Sequence, residues 1–174
     1  MKISHLVVSC GTAALAMLAA APAFAEDGKA MPGSACQATF ASGVQSLFRG
    51  GASILSSGSQ AVSITCPVAK DIEAGRIKRA EVMVIDRNPS TDQSIKPDIS
   101  CTLATHKKDG SVQQSVTKKS NSSFPNALPL SFGAQTAAAQ GSYSLVCELP
   151  PFANVPGNPN IGPSAIVMYN VVEE

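Results

Sequence analysis

The sequence predicts an all-β protein that folds as a single antiparallel β-sandwich, jelly-roll or immunoglobulin-like, with two disulfides. Three observations indicate this fold class. Short segments in which apolar and polar residues alternate recur along the chain, separated by turns rich in Gly and Pro. No long amphipathic helical pattern interrupts them. Of the five cysteines, Cys10 lies within the first 25 residues, and the other four, Cys36, Cys66, Cys101 and Cys147, are spread widely through these segments.

The first 25 residues have the features of a secretory signal peptide. Lys2 supplies a positive charge, an apolar run extends from Leu6 to Leu18, and Ala23-Phe24-Ala25 forms an A-x-A cleavage site. The run is too short to span a bilayer comfortably, so we expect cleavage and no membrane association of the mature chain. The predicted organisation is a signal peptide at 1–25, a flexible lead-in at 26–34 and one β-sandwich domain at 35–174.

The cysteine pattern predicts two disulfides and an oxidising compartment, either the periplasm or the space outside the cell. Four cysteines allow three pairings, and spacing alone does not choose among them. We favour Cys36–Cys66 and Cys101–Cys147, because each bond joins neighbouring parts of the chain. All spacings are wide and no C-x-x-C motif occurs, which excludes a zinc knuckle and a thioredoxin-type redox site.

Alternation of apolar and polar residues predicts the individual strands. In chain order, the predicted strands are 62–67, 80–86, 98–107, 112–119, 127–132, 141–151 and 165–172, with short irregular strands within 35–48 and a Gly- and Ser-rich turn at 51–59. The sequence Lys108-Asp109-Gly110-Ser111 predicts a hairpin turn, because Asp-Gly favours positive φ. The very polar strand after this turn indicates a sheet edge, whereas the last strand, apolar on both faces, indicates a central position.

Several of these segments together resemble a pattern in a family of secreted bacterial proteins. The matching segments are Cys66-Pro67 with Asp71, Val84-Ile85-Asp86, Ile99-Ser100-Cys101-Thr102-Leu103, the segment from Ser142 to Pro151, and Tyr169-Asn170-Val171-Val172-Glu173. They cover most of the chain after the leader. The resemblance implies an exported β-sandwich with two disulfides. It carries no assigned activity, so it transfers no site residues.

Charge and composition exclude some partners. The chain has 13 basic and 12 acidic residues and a formal net charge of +1, without a basic block. Nucleic acid and anionic membranes are therefore not expected as partners, and no cofactor is expected. The Lys107-Lys108 and Lys118-Lys119 pairs flank the predicted hairpin and indicate a solvated rim.

The residues that carry chemistry give little support for an enzyme. His106 is the only histidine after the leader, and no G-x-S-x-G motif accompanies it, so a hydrolase is a remote alternative. Glu81 and Glu148 point outward from their predicted strands, where carboxylates are normally solvated, although a glycosidase could use two carboxylates about 5–9 Å apart. We expect a non-catalytic protein with a structural or binding role.

One loop resembles the beginning of a calcium-binding loop. Asp86, Asn88, Ser90 and Asp92 place oxygen atoms at its positions 1, 3, 5 and 7. The loop lacks the glycine at position 6 and the glutamate at position 12 that such sites use. The alternative is a plain polar turn, in which Asp and Asn are common.

Binding to a glycan or to a surface protein is the main alternative function, as is frequent among exported β-sandwiches. Sugar platforms commonly use exposed aromatic rings, and the chain has no Trp. Phe124 and Phe152, both in predicted loops next to Pro, are the candidate rings. A fimbrial-type surface subunit, which accepts a strand from a neighbour, is a further alternative, although residues 26–34 do not alternate as a donor strand does.

Overall fold

The computed structural model describes residues 27–40, 47–71, 76–87, 98–121, 126–136, 139–152 and 162–174. Within these ranges the chain forms two antiparallel sheets, which confirms the all-β prediction. The strands are β1 (Asp27–Pro32), β2 (Gln37–Ala38), β3 (Leu47–Gly50), β4 (Ser53–Ser56), β5 (Val62–Cys66), β6 (Ile77–Ile85), β7 (Ser100–His106), β8 (Val112–Lys119), β9 (Leu128–Phe132), β10 (Ser142–Leu149) and β11 (Ala165–Glu173).

Sheet A contains β3, β4, β11, β6 and β9 in that order, and sheet B contains β2, β5, β10, β7 and β8. In sheet A, β1 and β4 share one edge of β11: β4 pairs with residues 165 and 166, and β1 pairs with residues 168–173. β11 is therefore central in sheet A, as its two apolar faces predict. The polar strand β8 lies at an edge of sheet B, also as predicted.

The core lies between the two sheets and is built from alternate residues of the long strands. β5 buries every second residue, and β10 does so from Tyr143 onward. Large side chains from both sheets are fully buried, among them Tyr169 and Phe132 of sheet A and Leu103 and Leu145 of sheet B. Each such side chain contributes about 1.5–3 kcal/mol of transfer free energy. Burial of these alternating positions explains why the strands form here.

Both disulfides lie inside this core. Strand register places Cys101 directly opposite Cys147, with a Cα–Cα distance of 4.0 Å. Cys36 precedes β2 and is bonded to Cys66 at the end of β5, with a Cα–Cα distance of 4.1 Å. This is the pairing that the sequence favours. All four sulfurs are taken up in buried bonds, so none is available as a thiol for chemistry.

The hairpin between β7 and β8 forms at the predicted turn. Gly110 adopts a positive φ of 82°, and its N–H donates to the carbonyl oxygen of Lys107 at 3.0 Å. Asp109 Oδ1 accepts hydrogen bonds from the hydroxyl and the N–H of Ser111, at 2.6 and 2.9 Å, and these bonds lower the pKa of Asp109.

Two segments differ from the expectations. The lead-in expected to be flexible at 26–34 contains β1, because its backbone pairs along β11 and Lys29 forms an ion pair with Glu173, 144 residues away. The segment 51–59, expected to be a turn, contains β4, because Ile54 is fully buried and pairs with Ile166. The predicted signal peptide lies outside the described residues. Among the residues that are described, no helix is long and apolar enough to cross a membrane.

Candidate functional site

A polar groove opens on the outer face of sheet A, where β9, β6 and β11 run side by side. Its volume is about 250 Å³. The residues that line it are Arg79, Ala80, Glu81, Ser131, Phe132 and Asn170. We call it the sheet A groove. Its lining comes from three neighbouring strands, so the backbone ladder holds its shape.

Strand register brings the polar side chains of the groove together. Glu81 on β6 lies opposite Asn170 on β11 and, on its other side, opposite Ser131 on β9. Ala80 and Val82 are buried in the core, so Glu81 between them points outward, as Arg79 also does. Directly opposite side chains have Cβ atoms about 5 Å apart. An amide, a carboxylate and a hydroxyl therefore form one row across three strands, with a guanidinium beside it.

The groove offers both kinds of hydrogen-bonding group. The guanidinium of Arg79 only donates, the carboxylate of Glu81 only accepts, and Asn170 and Ser131 do both. Ser131 Oγ lies 3.4 Å from Glu81 Oε1, so this hydroxyl already contacts the carboxylate. Such a set matches a ligand whose groups both donate and accept, as the hydroxyls of a sugar ring do.

A second polar cluster lies inside one end of the sandwich. Glu173 is fully buried, and its Oε2 accepts hydrogen bonds from Lys29 Nζ at 2.6 Å and from the N–H of Asp71 at 3.0 Å. Lys29 Nζ is also 3.0 Å from Asp71 Oδ2. The hydroxyl of Tyr143 contributes a further hydrogen bond to Glu173. Among the described residues, the other carboxylate oxygen, Glu173 Oε1, is buried without a hydrogen-bond partner. The ion pair between Lys29 and Glu173 joins the two ends of the described chain, so the cluster anchors structure.

The pKa values of this cluster follow from the same contacts. Burial acts to raise the pKa of Glu173, but the hydrogen bonds from Lys29, Asp71 and Tyr143 and the charge of Lys29 outweigh it and hold the pKa below its ordinary value. Burial raises the pKa of Tyr143, and the neighbouring Glu173 carboxylate raises it further. The folded state therefore contains an ionised Glu173 and a neutral Tyr143.

Asp86, the first residue of the predicted calcium loop, is buried and hydrogen-bonded within the protein. Asp86 is 1% exposed and accepts hydrogen bonds from the Ile99 N–H at 3.1 Å, from Ser164 Oγ at 3.0 Å and from Ser120 Oγ. The other proposed ligands, Asn88, Ser90 and Asp92, lie outside the described residues, so calcium binding at this loop stays a prediction. Where the structure is described, no group of three or more His, Cys, Asp or Glu residues is placed to hold a metal ion.

The candidate aromatic rings are divided between described and undescribed residues. Phe152 is half-buried just after β10, and its N–H donates to the carbonyl oxygen of Gly58 at 2.8 Å. Phe124 lies outside the described residues, so a loop platform stays a prediction. An exposed ring that the sequence did not single out is Phe40, 69% exposed just after β2. It lies away from the lining of the sheet A groove.

The residues considered for catalysis are only partly brought together. His106 Nε2 is 2.8 Å from Ser144 Oγ, a pair that the sequence does not predict. The other nitrogen, Nδ1, faces the carbonyl oxygen of Gly110 at 3.3 Å, where a catalytic triad has a carboxylate. Glu81 belongs to sheet A and Glu148 to sheet B, each on an outward face. These two carboxylates cannot flank one glycosidic bond.

Comparisons with known proteins give a fold-level likeness. No protein-family model matches the sequence, and no curated protein matches it. Among solved structures, the chain is similar to TmCBM61 in complex with β-1,4-galactotriose, at 10% identity over 82% of this chain and 86% of that one, with a TM-score of 0.43. It is also similar to the arabinose-bound α-L-arabinofuranosidase MgGH51, at 11% identity and a TM-score of 0.38, covering 83% of this chain and 26% of that one.

Proposed function

We propose that this chain is an exported, non-catalytic protein that binds carbohydrate in the sheet A groove. The observation that carries the proposal is the row formed by Asn170, Glu81 and Ser131, with Arg79 beside it, along one groove of about 250 Å³. Convergent polar groups in a concave site are the usual mark of a small-molecule site. The volume lies just below the usual range for such sites, which suits about one sugar ring of a longer glycan.

The lining groups suggest how a sugar would be recognised. The carboxylate of Glu81 would accept hydrogen bonds from neighbouring ring hydroxyls, and Arg79 and Asn170 would donate to hydroxyl oxygens. Four such bonds at about 1 kcal/mol each give a binding free energy near 4 kcal/mol, which corresponds to a Kd on the order of 1 mM. Affinity of this size suits a protein that meets a repetitive glycan at many points.

Export is supported by the predicted signal peptide and by the two buried disulfides, which persist in oxidising compartments such as the periplasm or the extracellular space. The absence of catalysis is supported by the separation of Glu81 from Glu148 on different sheets, and by the carbonyl oxygen that stands beside His106 in place of a carboxylate.

The proposal is tested by titrating a panel of neutral mono- and oligosaccharides into the protein, with isothermal calorimetry and amide NMR shifts as readouts. Glu81→Gln and Asn170→Ala should each weaken binding at least about tenfold, since each loses hydrogen bonds to the ligand. Glu148→Gln is the matched control, because Glu148 is an outward carboxylate near the end of β10 in the other sheet. It should bind as the unmodified protein does.

Three outcomes would contradict the proposal or a part of it. If no sugar in a broad panel shifts the amides of β6, β9 and β11, carbohydrate is not the ligand of this groove. If binding survives Glu81→Gln but is lost in Phe124→Ala or Phe152→Ala, the glycan is bound by the loops instead. Release of reducing sugar during the titration would contradict the non-catalytic part of the proposal.

A further inference from the structure

A row of apolar side chains crosses the outer face of sheet A next to the sheet A groove. Strand register places Met168 of β11 directly opposite Met83 of β6. Pro32 of β1 lies beside Met168, and Pro129 of β9 lies beside Met83. Directly opposite side chains have Cβ atoms about 5 Å apart, so the four residues are neighbours across four strands. We call them the apolar row.

The apolar row is accessible from outside the sandwich. Pro32 and Pro129 are exposed, Met168 is 38% exposed and Met83 is half-buried. Single exposed apolar side chains are common on protein surfaces, but a contiguous row with polar residues beside it indicates a binding surface. Methionine suits such a surface, because its side chain is unbranched and polarisable and adapts to the shape of a ligand.

A β-bulge in β11 turns Met168 toward this surface. Ile166 faces the core opposite Val84, so in a regular strand Met168, two residues later, would face the core as well. The register shift between Ile166 and Met168 adds one residue, Val167, and places Met168 opposite Met83 on the outer face. Bulges of this kind re-aim side chains next to functional sites. The irregularity in the central strand therefore completes the apolar row.

The apolar row runs parallel to the polar row of the groove. Along β6, Arg79, Glu81 and Met83 occupy alternate positions and share the outer face. Glu81 therefore lies between a guanidinium on one side and the thioethers on the other, and successive residues on this face are about 7 Å apart. A ligand seated on Glu81 and Asn170 can reach the thioethers with a short apolar substituent.

We propose that the ligand of the sheet A groove is a glycan with an N-acetylated amino sugar, whose acetamido methyl group packs on Met83 and Met168. This inference rests on the proposed function and names the class of sugar. The acetamido N–H can donate to the Glu81 carboxylate, and the acetamido oxygen can accept from the Asn170 amide. The methyl group then lies on the side of the thioethers.

The two rows distinguish this substituent from related ones. A sugar hydroxyl at the same place makes the polar contacts but leaves the apolar row unused. An O-acetyl ester brings the methyl group but has no N–H for Glu81, and a free amine has no methyl group. The acetamido group satisfies both rows, and burial of its methyl group should tighten binding about fourfold over a hydroxyl.

The test compares two trisaccharides with the same β-1,4 linkage, triacetylchitotriose and cellotriose, which differ in the acetamido group that replaces a hydroxyl on each ring. NMR titration of the unmodified protein should give a Kd about fourfold lower for the acetylated trisaccharide. The double variant Met83→Thr with Met168→Thr keeps strand-forming residues but lacks both thioethers. It should bind the two trisaccharides equally and keep the affinity for cellotriose.

The matched control is Val146→Thr, which replaces an apolar residue on the outward face of sheet B and should keep the full preference. A second measurement needs no substitution and covers the case in which the double variant does not fold. With isotope-labelled methionine methyl groups, the acetylated trisaccharide should shift the signals of Met83 and Met168. The signal of Met31, which alternates to the other face of sheet A, should stay in place.

Three results would overturn this inference: equal binding of the two trisaccharides, a preference that survives the double substitution, or Met83 and Met168 shifts no larger than that of Met31. Shifts of the β6, β9 and β11 amides would then show that carbohydrate still binds in the groove. If neither trisaccharide nor any other sugar shifts these amides, the proposed function itself fails, and this inference fails with it.

Discussion

Replacing Lys29 with methionine tests how the N-terminal strand is held. The substitution removes the charge and keeps most of the length and apolar surface of the side chain. Lys29 Nζ contacts two carboxylates, Glu173 at 2.6 Å and Asp71 at 3.0 Å. The side chain of Asp71 is 58% exposed and that of Glu173 is 0% exposed. Water can solvate Asp71 once the charge of Lys29 is removed, so the destabilisation comes mainly from the buried carboxylate of Glu173.

The size of the effect follows from this burial. Removing one partner of a buried ion pair costs about 3–5 kcal/mol. Two donors remain on Glu173, the N–H of Asp71 and the hydroxyl of Tyr143. The decrease in the free energy of unfolding should therefore lie at the low end of this range, about 3 kcal/mol. For a domain of this size 1 kcal/mol shifts Tm by about 3 °C, so we expect Lys29→Met to lower Tm by about 10 °C.

The dependence on pH gives a second measurement. Because the pKa of Glu173 is lowered in the folded state from its ordinary value of 4.5, the stabilisation is fully present above that value. It disappears as pH falls through the lower folded pKa. In Lys29→Met, burial becomes the dominant influence and raises the pKa of Glu173. The free energy of unfolding of the variant, relative to the unmodified protein, should therefore improve on acidification.

Urea unfolding at about pH 7 and at about pH 3.5 measures both effects. Lys78→Met is the control, because the side chains of Lys78 and Glu174 are 44% and 32% exposed. Screening by solvent limits its effect to less than about 0.5 kcal/mol. If the two substitutions destabilise equally, or if Lys29→Met leaves the pH dependence unchanged, Lys29 does not neutralise Glu173.

Three further experiments test other parts of the fold. Gly33→Ala should lower the free energy of unfolding by more than about 2 kcal/mol in thermal melts, because the new Cβ would be 2.1 Å from a backbone oxygen. Gly28→Ala is the control and should be nearly neutral, because its Cβ would be 3.7 Å from the nearest atom. Replacing Cys101 and Cys147 together by Ala should cost about 4 kcal/mol in urea unfolding, given their separation of 46 residues; an unchanged midpoint would contradict the chain-entropy estimate. Asp86→Ala removes three buried hydrogen bonds and should cost about 3 kcal/mol, and a loss under 1 kcal/mol would show that water replaces the carboxylate.

Much of the fold could be predicted because its signals are local. Alternation in β5 and β10 shows which residues face the core, and the apolar residues on both faces of β11 indicate a central strand. The Asp-Gly turn predicts the hairpin between β7 and β8, and the polar sequence of β8 predicts its place at an edge of sheet B. These features depend on neighbours two or three residues apart, so a single sequence displays them.

The position of β1 and the sheet A groove depend on contacts between residues that are distant in the sequence. β1 lacks an alternating pattern. It is held by backbone pairing with the edge of β11 and by the ion pair of Lys29 with Glu173, which lies 144 residues further along the chain. The sheet A groove needs the register of β6 against both β9 and β11, which alternation does not contain. One signal was available in the sequence: Arg79 and Glu81 are charged residues at alternate positions, just before the apolar run from Val82 to Ile85.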